Sequence, residues 1–297
     1  MNDATPTGDL GRTRIGPATL RWGERTFVMA ILNATPDSFS GDGLLAGPDD
    51  PIEAAVAAGR RMVSDGADIL DVGGESTRPG HDVVSLDEER GRVVPIIAAL
   101  RAALPDTPLS VDTTKPAVAE AALAAGADLV NDIWAVGDDD SLIRLAADHG
   151  VPLVLLHNRA EPRYTTLLPE VIADLQRALE RALRLGVRWE DLIVDPGFGF
   201  GKTPAHNLAL LRELGTLRLL GRPILLGTSR KSTLGRVLDL PASERLEATL
   251  ATTALGIAAG VDVVRVHDVQ ANVRAARISD AVVRANWSPD AIEGGRS

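Results

Sequence analysis

Residues 152–195 read PLVLLHNRAEPRYTTLLPEVIADLQRALERALRLGVRWEDLIVD and contain the kind of unit from which we predict the fold. Two short apolar runs, Pro152–His157 and Leu192–Asp195, flank a longer segment. In that segment, VIADLQRALERALRLG has apolar residues at i, i+3 and i+4, which predicts an amphipathic helix over Pro169–Leu185 with Gly186 at its C-cap. The runs are almost continuously hydrophobic, as is typical of parallel strands covered on both faces. The stretch therefore predicts a strand–helix–strand unit.

The same alternation recurs along the chain from Phe27 onward. The other predicted strands are Phe27–Asn33, Ile69–Val72, Leu109–Asp112, Leu129–Asp132, Ile224–Gly227 and Val263–Val266. The other predicted helices include Pro51–Asp65, Leu86–Ala103 and Ser243–Ala259. Eight strands that alternate with helical segments predict an α/β protein with a (β/α)8 TIM-barrel fold. A doubly wound open sheet is the alternative architecture.

The domain organisation follows from the absence of any break in composition between residues 27 and 287. We therefore expect one barrel domain over residues 18–287. Its first segment, Ala18–Phe27, reads ATLRWGERTF and predicts a hairpin that turns near Gly23 and covers the lower end of the barrel. Residues 1–17 and 288–297 are expected to form loose polar tails.

The composition excludes several classes of function. Hydrophobic residues make up 45% and charged residues 24% of the chain, the ordinary balance of a globular protein. A formal net charge of −10 argues against nucleic acid as a partner. The absence of cysteine excludes disulfides, thiolate nucleophiles and cysteine zinc sites. We see neither a signal peptide nor an apolar stretch of ~20 residues that would span a membrane, so we expect a cytoplasmic protein.

Polar residues stand at or just after the C-terminal ends of all eight predicted strands. In chain order they include Asn33, Asp71, Asp112, Asn131, His157, Asp195, Ser229 and Arg265. One such residue alone is typical of a turn or a helix N-cap. Eight of them at the rim where barrel enzymes hold their active sites favour a functional site.

These rim residues divide into hydrogen-bond acceptors and cations. Asp112, Asn131 and Asp195 suit a flat heterocycle that carries several N–H groups, because buried carboxylates need donors or cations as partners. Arg78, Lys231, Arg265 and His267 suit anions, and the loops after strands seven and eight are the usual phosphate site of this fold. The two groups together predict a ring that bears a phosphate-type group.

Two other features permit less specific interpretations. His157 is as consistent with a hydrogen-bonded structural histidine as with a functional one, and no histidine pair at i, i+4 indicates a metal site. The sequence Gly197-Phe-Gly-Phe-Gly lacks the spacing of a dinucleotide-binding loop. We expect it to let backbone approach a ligand closely, with Phe200 as a stacking or lid surface.

Six ordered motifs resemble the dihydropteroate synthase family over about residues 28–269. They are ILNATPDSFS (31–40), DVGGESTRPG (71–80), SVDTTKPAVAEAALAAGADLVNDI (110–133), DPGFGFGK (195–202), GTSRKSTLG (227–235) and RVHDV (265–269). The resemblance implies a TIM barrel that joins hydroxymethyl-dihydropterin diphosphate to para-aminobenzoate and releases pyrophosphate. It also implies Mg²⁺ as the cofactor and a homodimer packed through outer helices late in the chain.

The resemblance further implies a role for each matching residue. Asn33 would hold Mg²⁺, whereas Asp112, Asn131 and Asp195 would bind the pterin ring. Lys231 would reach the ring edge, and Arg265 and His267 would bind the diphosphate. Thr77 and Arg78 would close over the anion and the aminobenzoate, with Phe200 and Ser229 on the aminobenzoate side. Gly227 and Arg230 complete the expected substrate-binding set, and the expected catalytic residues are Arg78, Lys231, Arg265 and His267.

The chain departs from the family pattern in two places. It reads Gly41-Asp-Gly where Asp-Gly-Gly is usual, and Asn158-Arg-Ala where many members have Met-Gln-Gly. The second change removes an apolar contact expected for the pterin, so we expect both to affect affinity more than activity.

Three alternatives to this function stay open at this point. A methyltetrahydrofolate-dependent methyltransferase module would share the acceptors but would not need the cations. A catalytically silent paralogue would be expected to lose loop residues such as Asn33, Thr77 and Arg78 first. A glycosidase with Glu75 and Asp195 as its acid–base pair would leave the cations unexplained.

Overall fold

The barrel is formed by one sheet of parallel strands surrounded by helices. The computed structural model describes residues 10–35, 50–75 and 84–287. Within these residues the barrel strands are β3 (Phe27–Asn33), β4 (Ile69–Gly73), β5 (Leu109–Asp112), β6 (Leu129–Asp132), β7 (Leu153–Leu156), β8 (Leu192–Asp195), β9 (Leu225–Leu226) and β10 (Val263–Val266). Neighbours pair in sequence order from β3 to β8, and β10 lies between β3 and β9.

Closure of the sheet decides between the two predicted architectures. A parallel bridge between Val194 and Ile224 joins β8 to the segment just before β9. Since β9 also pairs with β10, and β10 with β3, every strand has a neighbour on both sides. The TIM-barrel prediction is confirmed, and the open doubly wound sheet is wrong.

The helices lie between the strands and after the last one. Within the described residues they are α1 (Pro51–Ser64), α2 (Leu86–Ala103), α3 (Pro116–Ala124), α4 (Ser141–His149), α5 (Leu167–Arg184), α6 (Pro204–Arg212), α7 (Ser232–Leu238), α8 (Leu246–Ala258) and α9 (Val269–Val283). Helix α5 buries the apolar stripe that predicted it, including Val171, Leu175 and Leu179. Gly186 follows its C-cap at φ +101°, the left-handed conformation that glycine adopts at little cost.

The predicted element boundaries are confirmed to within a few residues. Strands β3, β5, β6, β8 and β10 have the predicted limits. Pro152 and His157 fall outside β7, and β9 keeps only Leu225–Leu226. Helix α8 begins at Leu246 because a 3-10 turn occupies Ala242–Glu244.

The N-terminal hairpin lies earlier in the chain than predicted. Strands β1 (Arg12–Ile15) and β2 (Ala18–Arg21) pair antiparallel and turn at Gly16, which has φ +54°, not at Gly23. The expectation of a loose tail is therefore wrong for residues 12–17. Alternation places Thr13 and Ile15 on a buried face, and this short amphipathic pattern was missed.

The hairpin covers the N-terminal end of the barrel, as predicted. Ile15, Leu20 and Trp22 join a buried cluster with the first residues of the barrel strands, such as Phe27 and Ile193. Trp22 also donates its indole N–H to Thr13 Oγ1 at 2.9 Å. This end of the barrel is therefore filled with apolar side chains, which leaves the C-terminal end for chemistry. No helix of the described residues is long and apolar enough to cross a membrane.

Candidate active site

Four polar side chains from neighbouring strands share the inner face at the barrel mouth. Asp71 on β4 pairs in register with Ser110 on β5, and Asp112 pairs with Asn131 on β6. Side chains alternate along a strand, so Ser110 and Asp112 point to the same side. All four residues are buried. The strand register therefore assembles one wall of acceptors.

Arg265 lies against this wall and joins two of its carboxylates. Its Nε donates to Asp71 Oδ2 at 2.6 Å, and its Nη2 donates to Asp112 Oδ2 at 2.6 Å. Asn131 Nδ2 donates to the same Asp71 oxygen at 3.3 Å. Burial lowers the pKa of Arg265, but Asp71 and Asp112 outweigh it and the net pKa is raised, so the guanidinium stays charged. The acceptors and this cation therefore form one connected network.

One oxygen of each wall residue is left without a hydrogen bond. Among the described residues, buried Asp71 Oδ1, Ser110 Oγ, Asp112 Oδ1 and Asn131 Oδ1 have no partner. A buried polar atom without a partner costs roughly 1–3 kcal/mol. Four such atoms on one face indicate a place where a ligand with several N–H groups would supply the missing donors.

Burial also changes the protonation of Asp112. Burial raises the pKa of its carboxyl to about 7, while the positive charge of Arg265 opposes the rise and Asp71 adds to it. The group therefore passes between donor and acceptor forms near neutral pH. Such a shift is typical of residues at functional sites, although ion-pair networks produce it as well.

Lys231 faces the same mouth from the loop after β9. Its Nζ donates to the carbonyl oxygen of Phe198 and lies 4.3 Å from the centroid of the Phe200 ring. Burial lowers its pKa to about 8, Asp195 acts against this, and Arg265 adds to it. Gly227 lies between the two cations, since a Cβ there would be 3.7 Å from Arg265 Cβ and 3.9 Å from Lys231 Nζ.

Asp195 is buried at the end of β8 and starts a loop rich in glycine. Its Oδ1 accepts the N–H of Gly197 at 2.7 Å, and burial raises the pKa of its carboxyl against the nearby Lys231 charge. Gly197, Gly199 and Gly201 all have positive φ. A Cβ on Gly197 would overlap the carbonyl oxygen of His157, so only glycine allows this loop to lie against the end of β7.

Ser229 joins the loops after β9 and β10. Ser229 Oγ lies 2.9 Å from His267 Nδ1 and accepts the His267 backbone N–H at 3.1 Å. Arg230 donates through Nε to Asp268 Oδ2 at 2.9 Å. Ser229 and His267 thus lie together, whereas the Arg230 guanidinium is engaged by a neighbouring carboxylate.

Sequence reasoning gave no role to three charged residues of the site. Asp71 interrupts an otherwise apolar strand, a signal that the sequence contains. Lys202 and Asp174 flank His157, which lies fully buried between them. The sequence gives no signal for Asp174. It is one acidic residue on an amphipathic helix, and its partner His157 lies just after strand β7.

Several predicted features lie at the edge of the described residues or beyond it. Thr77, Arg78 and the Gly41-Asp-Gly segment are outside them. Asn33 ends β3 and is half-buried there. At the second departure, Asn158 is buried and Arg159 pairs with Glu170 and Asp174.

Glu75 has partners that explain it without an acid–base role. Its carboxylate accepts hydrogen bonds from Lys115 Nζ and from the backbone N–H of Val84. Glu89 completes this cluster, since it also binds Lys115 and accepts from Thr113 at 2.6 Å. These contacts disfavour a glycosidase pair of Glu75 with Asp195.

Comparison with known proteins identifies the family. The family model of pterin binding enzymes matches residues 29–267. Dihydropteroate synthases of Clostridium beijerinckii and Bacillus subtilis are each 49% identical to the chain, over 91% of it and 99% of the former, and over 90% of it and 92% of the latter. The chain belongs to the dihydropteroate synthase family. It is therefore a transferase, and its activity is dihydropteroate synthesis.

Solved structures of this family have the same fold. A dihydropteroate synthase of Clostridium difficile, crystallised in the presence of pteroic acid, superposes with a TM-score of 0.84 at 45% identity and covers 89% of this chain and 99% of its own. The Xanthomonas albilineans enzyme with 4-aminobenzoic acid gives a TM-score of 0.85 at 41% identity, over 91% and 97% of the two chains. Family membership favours dihydropteroate synthesis over the methyltransferase and the silent paralogue.

Proposed function

We propose that the barrel mouth binds hydroxymethyl-dihydropterin diphosphate and para-aminobenzoate and joins them into dihydropteroate and pyrophosphate. The main observation behind this proposal is the wall of acceptors without hydrogen-bond partners, with the Arg265 guanidinium beside it. A ring with N–H donors matches the wall, and an attached anion matches the cations. The Xanthomonas albilineans relative in complex with 7,8-dihydropteroate supports the assignment of the product.

The pterin ring binds Asp112, Asn131 and Asp195. Asp112 Oδ1 and Asn131 Oδ1 have no hydrogen-bond partner among the described residues, and Asp195 is buried at the end of β8 with one oxygen engaged by Gly197. A carboxylate that accepts two parallel N–H bonds from an amino-pyrimidinone edge would stabilise the ring in one orientation. Lys231 reaches the ring edge near Asp195, whose charge acts on its pKa, and near its own contact with Phe198.

Arg265 and His267 bind the diphosphate, and Thr77 and Arg78, which lie outside the described residues, are assigned to the same ligand. Asp71 and Asp112 keep the Arg265 guanidinium charged and in one orientation, as expected of a residue that binds an anion. His267 adds a ring held by Ser229. Para-aminobenzoate binds on the Phe200 and Ser229 side of Lys231, where Gly227 and Arg230 complete the pocket.

Magnesium is the proposed cofactor, with Asn33 as its protein ligand. The described residues contain no cluster of three His, Cys, Asp or Glu side chains that would hold a metal ion by itself. One amide oxygen at the end of β3 nevertheless fits Mg²⁺, which often takes few protein ligands and completes its shell with water and substrate phosphates. When bound, the ion supplies positive charge that stabilises the diphosphate as a leaving group.

The reaction needs positioning and charge stabilisation but no protein nucleophile. The bond between the pterin methylene carbon and the diphosphate oxygen breaks, and its electron pair leaves with pyrophosphate. The amine nitrogen of para-aminobenzoate forms the new bond to that carbon and gives its proton to solvent. Lys231, Arg265, His267 and Arg78 stabilise the negative charge on the departing group.

Two further properties belong to this proposal. The protein forms a homodimer through its outer helices, supported by the exposed apolar side chains Leu255 on α8 and Ile278 and Val282 on α9. It acts in the cytoplasm on small molecules, not on nucleic acid, in keeping with its acidic net charge of −10.

A pyrophosphate-release assay tests the proposed function. The protein is incubated with both substrates, with each alone, and with both in the presence of EDTA or of added Mg²⁺. We expect release only when both substrates and Mg²⁺ are present. Release that EDTA leaves unchanged would exclude Mg²⁺, and no release under any condition would contradict the reaction itself.

A further inference from the structure

Lys202 ends the glycine-rich loop and turns its ammonium group back beneath it. Its Nζ lies 2.9 Å from His157 Nδ1 and donates to the carbonyl oxygens of Gly197 at 3.0 Å and Phe200 at 3.1 Å. A weaker contact to the His157 carbonyl oxygen measures 3.4 Å. Burial lowers the pKa of Lys202 to about 7, and the charge of Asp195 opposes this change. In its ammonium form the group has three N–H donors, and the three short contacts use all of them. Lys202 therefore binds both ends of the turn from Gly197 to Phe200.

His157 is the fixed support for this lysine. Its Nε2 lies 3.0 Å from Asp174 Oδ2, an acceptor, so Nε2 carries the proton and Nδ1 is free to accept from Lys202. Burial, followed by the charge of Lys202, lowers the pKa of His157 to about 3, so the ring is neutral. Asp174 is itself held by Arg159, whose Nε and Nη2 lie at 3.0 Å and 2.7 Å from Oδ2.

The turn that Lys202 binds carries the contacts made to Lys231. Phe198 accepts from the Lys231 ammonium through its carbonyl oxygen, and the Phe200 ring lies over that same ammonium. The other hydrogen bonds of the turn involve backbone groups at its two ends and its middle. Gly197 N–H donates to Asp195 Oδ1 at 2.7 Å, Gly199 N–H to Asn207 Oδ1 at 2.8 Å and Phe200 N–H to Gly197 O at 3.0 Å, and Gly201 O accepts from Tyr164 at 2.9 Å. A shift of the turn would therefore displace both groups that face Lys231.

We propose that Lys202 is a positioning residue for the aminobenzoate half of the site, acting through the chain Asp174–His157–Lys202 on the 197–201 turn. This inference rests on the proposed assignment of Phe200 and Lys231 to the aminobenzoate side. Lys202 does not act on the substrates, because its donors are all engaged by the protein. The ring-binding residues Asp112 and Asn131 lie outside its contacts, whereas Asp195 accepts from the Gly197 N–H at the start of the turn. Removal of Lys202 therefore affects the aminobenzoate more than the pterin.

The first test is Lys202→Met, which keeps the apolar stem and removes the three donors. We expect KM for para-aminobenzoate to rise about tenfold, the order of effect of losing a hydrogen bond to a charged group. The Kd of 6-hydroxymethylpterin, measured by calorimetry, should change by less than about threefold, a smaller free-energy change than that expected for para-aminobenzoate. Arg184→Met, which removes an exposed cation on α5, is the control. An unchanged KM, or an equal loss for both ligands, would overturn the proposal.

A pair of His157 variants tests the chain itself. His157→Asn retains an acceptor near the position of Nδ1, whereas His157→Leu removes it, and both lose the contact to Asp174. We expect His157→Leu to raise KM for para-aminobenzoate as Lys202→Met does, and His157→Asn to recover most of the loss. Equal KM values for the two variants would show that Lys202 does not need an acceptor at position 157, and this would contradict the link between His157 and Lys202.

Hydrogen exchange gives a readout that does not require turnover. In Lys202→Met the amides of Gly199 and Phe200 should exchange faster than in the wild type, while those of β5 and β6 keep their rates. Unchanged exchange at the turn would overturn the positioning role even in an active enzyme. A wild-type protein without activity would instead count against the proposed function, so the two failures are distinguishable.

Discussion

Arg265 and Asp71 form a buried ion pair at the barrel mouth, with Nε and Oδ2 2.6 Å apart. Asp71 also accepts from Asn131, so one carboxylate orients an anion-binding residue and a ring-binding residue together. The pair therefore connects the two halves of the proposed substrate site.

Asp71→Asn tests this connection. The amide keeps the shape of the side chain but loses its charge, and a hydrogen bond to a charged group contributes about 1.5–3 kcal/mol. We expect kcat/KM to fall about 10- to 100-fold, measured by pyrophosphate release. Asp106→Ala, at an exposed turn, is the matched control. Wild-type kinetics in Asp71→Asn would mean that Arg265 is held well enough by Asp112 alone.

Asp195→Ala should abolish binding of 6-hydroxymethylpterin in calorimetry. The variant removes a buried acceptor that we assign to the ring, and its Gly197 contact is a secondary loss. Circular dichroism checks that the barrel is intact. Near-normal affinity would remove Asp195 from the pterin site.

Arg265→Ala should weaken binding of the pterin diphosphate more than binding of the unphosphorylated pterin. The reason is that the cation serves the anion, although its loss also leaves Asp71 and Asp112 without their partner. Calorimetry with both ligands gives the comparison, and Arg60→Ala on the exposed face of α1 serves as the control. Equal losses for the two ligands would contradict the assignment.

Pterin affinity should depend on pH through Asp112. Burial raises the pKa of its carboxyl to about 7, so the carboxylate form that accepts N–H bonds is lost as the pH falls through that value. We expect affinity for 6-hydroxymethylpterin to fall about tenfold per pH unit below about 7. Asp112→Asn should bind more weakly and lose this dependence. The affinity should be measured from about pH 5.5 to about pH 8, which covers about a unit on either side of that pKa. A wild-type affinity that stays constant over this range would exclude Asp112 as the acceptor.

Gly197→Ala should destabilise the fold more than Gly150→Ala. Both glycines have positive φ, which costs an alanine about 1–2 kcal/mol, but a Cβ at Gly150 meets no atom within 4 Å. At Gly197 the Cβ would overlap the His157 carbonyl, which adds about 1–3 kcal/mol of overpacking. Urea denaturation measures both free energies of unfolding. Similar losses would show that the loop can move away from β7 at little cost.

The strand pattern of the sequence predicted most of the fold because buried parallel strands leave a strong local signal. Continuous apolar runs such as Leu192–Asp195, separated by amphipathic helices such as α5, repeat often enough to identify a barrel. The hairpin gave a weaker signal, since strands of four residues with partial burial resemble a loop. Both Gly16 and Gly23 have positive φ, so glycine alone does not indicate which of them is the turn of the hairpin.

The sequence by itself determined which residue types end each strand, and the strand ends of a parallel barrel must meet at one mouth. For that reason Asp112, Asn131, Asp195, Lys231 and Arg265 were predictable as a group. Only the tertiary structure decided their partners. The Arg265–Asp71 pair and the Lys202–His157–Asp174 chain join residues remote in sequence, and such contacts depend on register, helix rotation and close backbone approach, none of which has a local pattern.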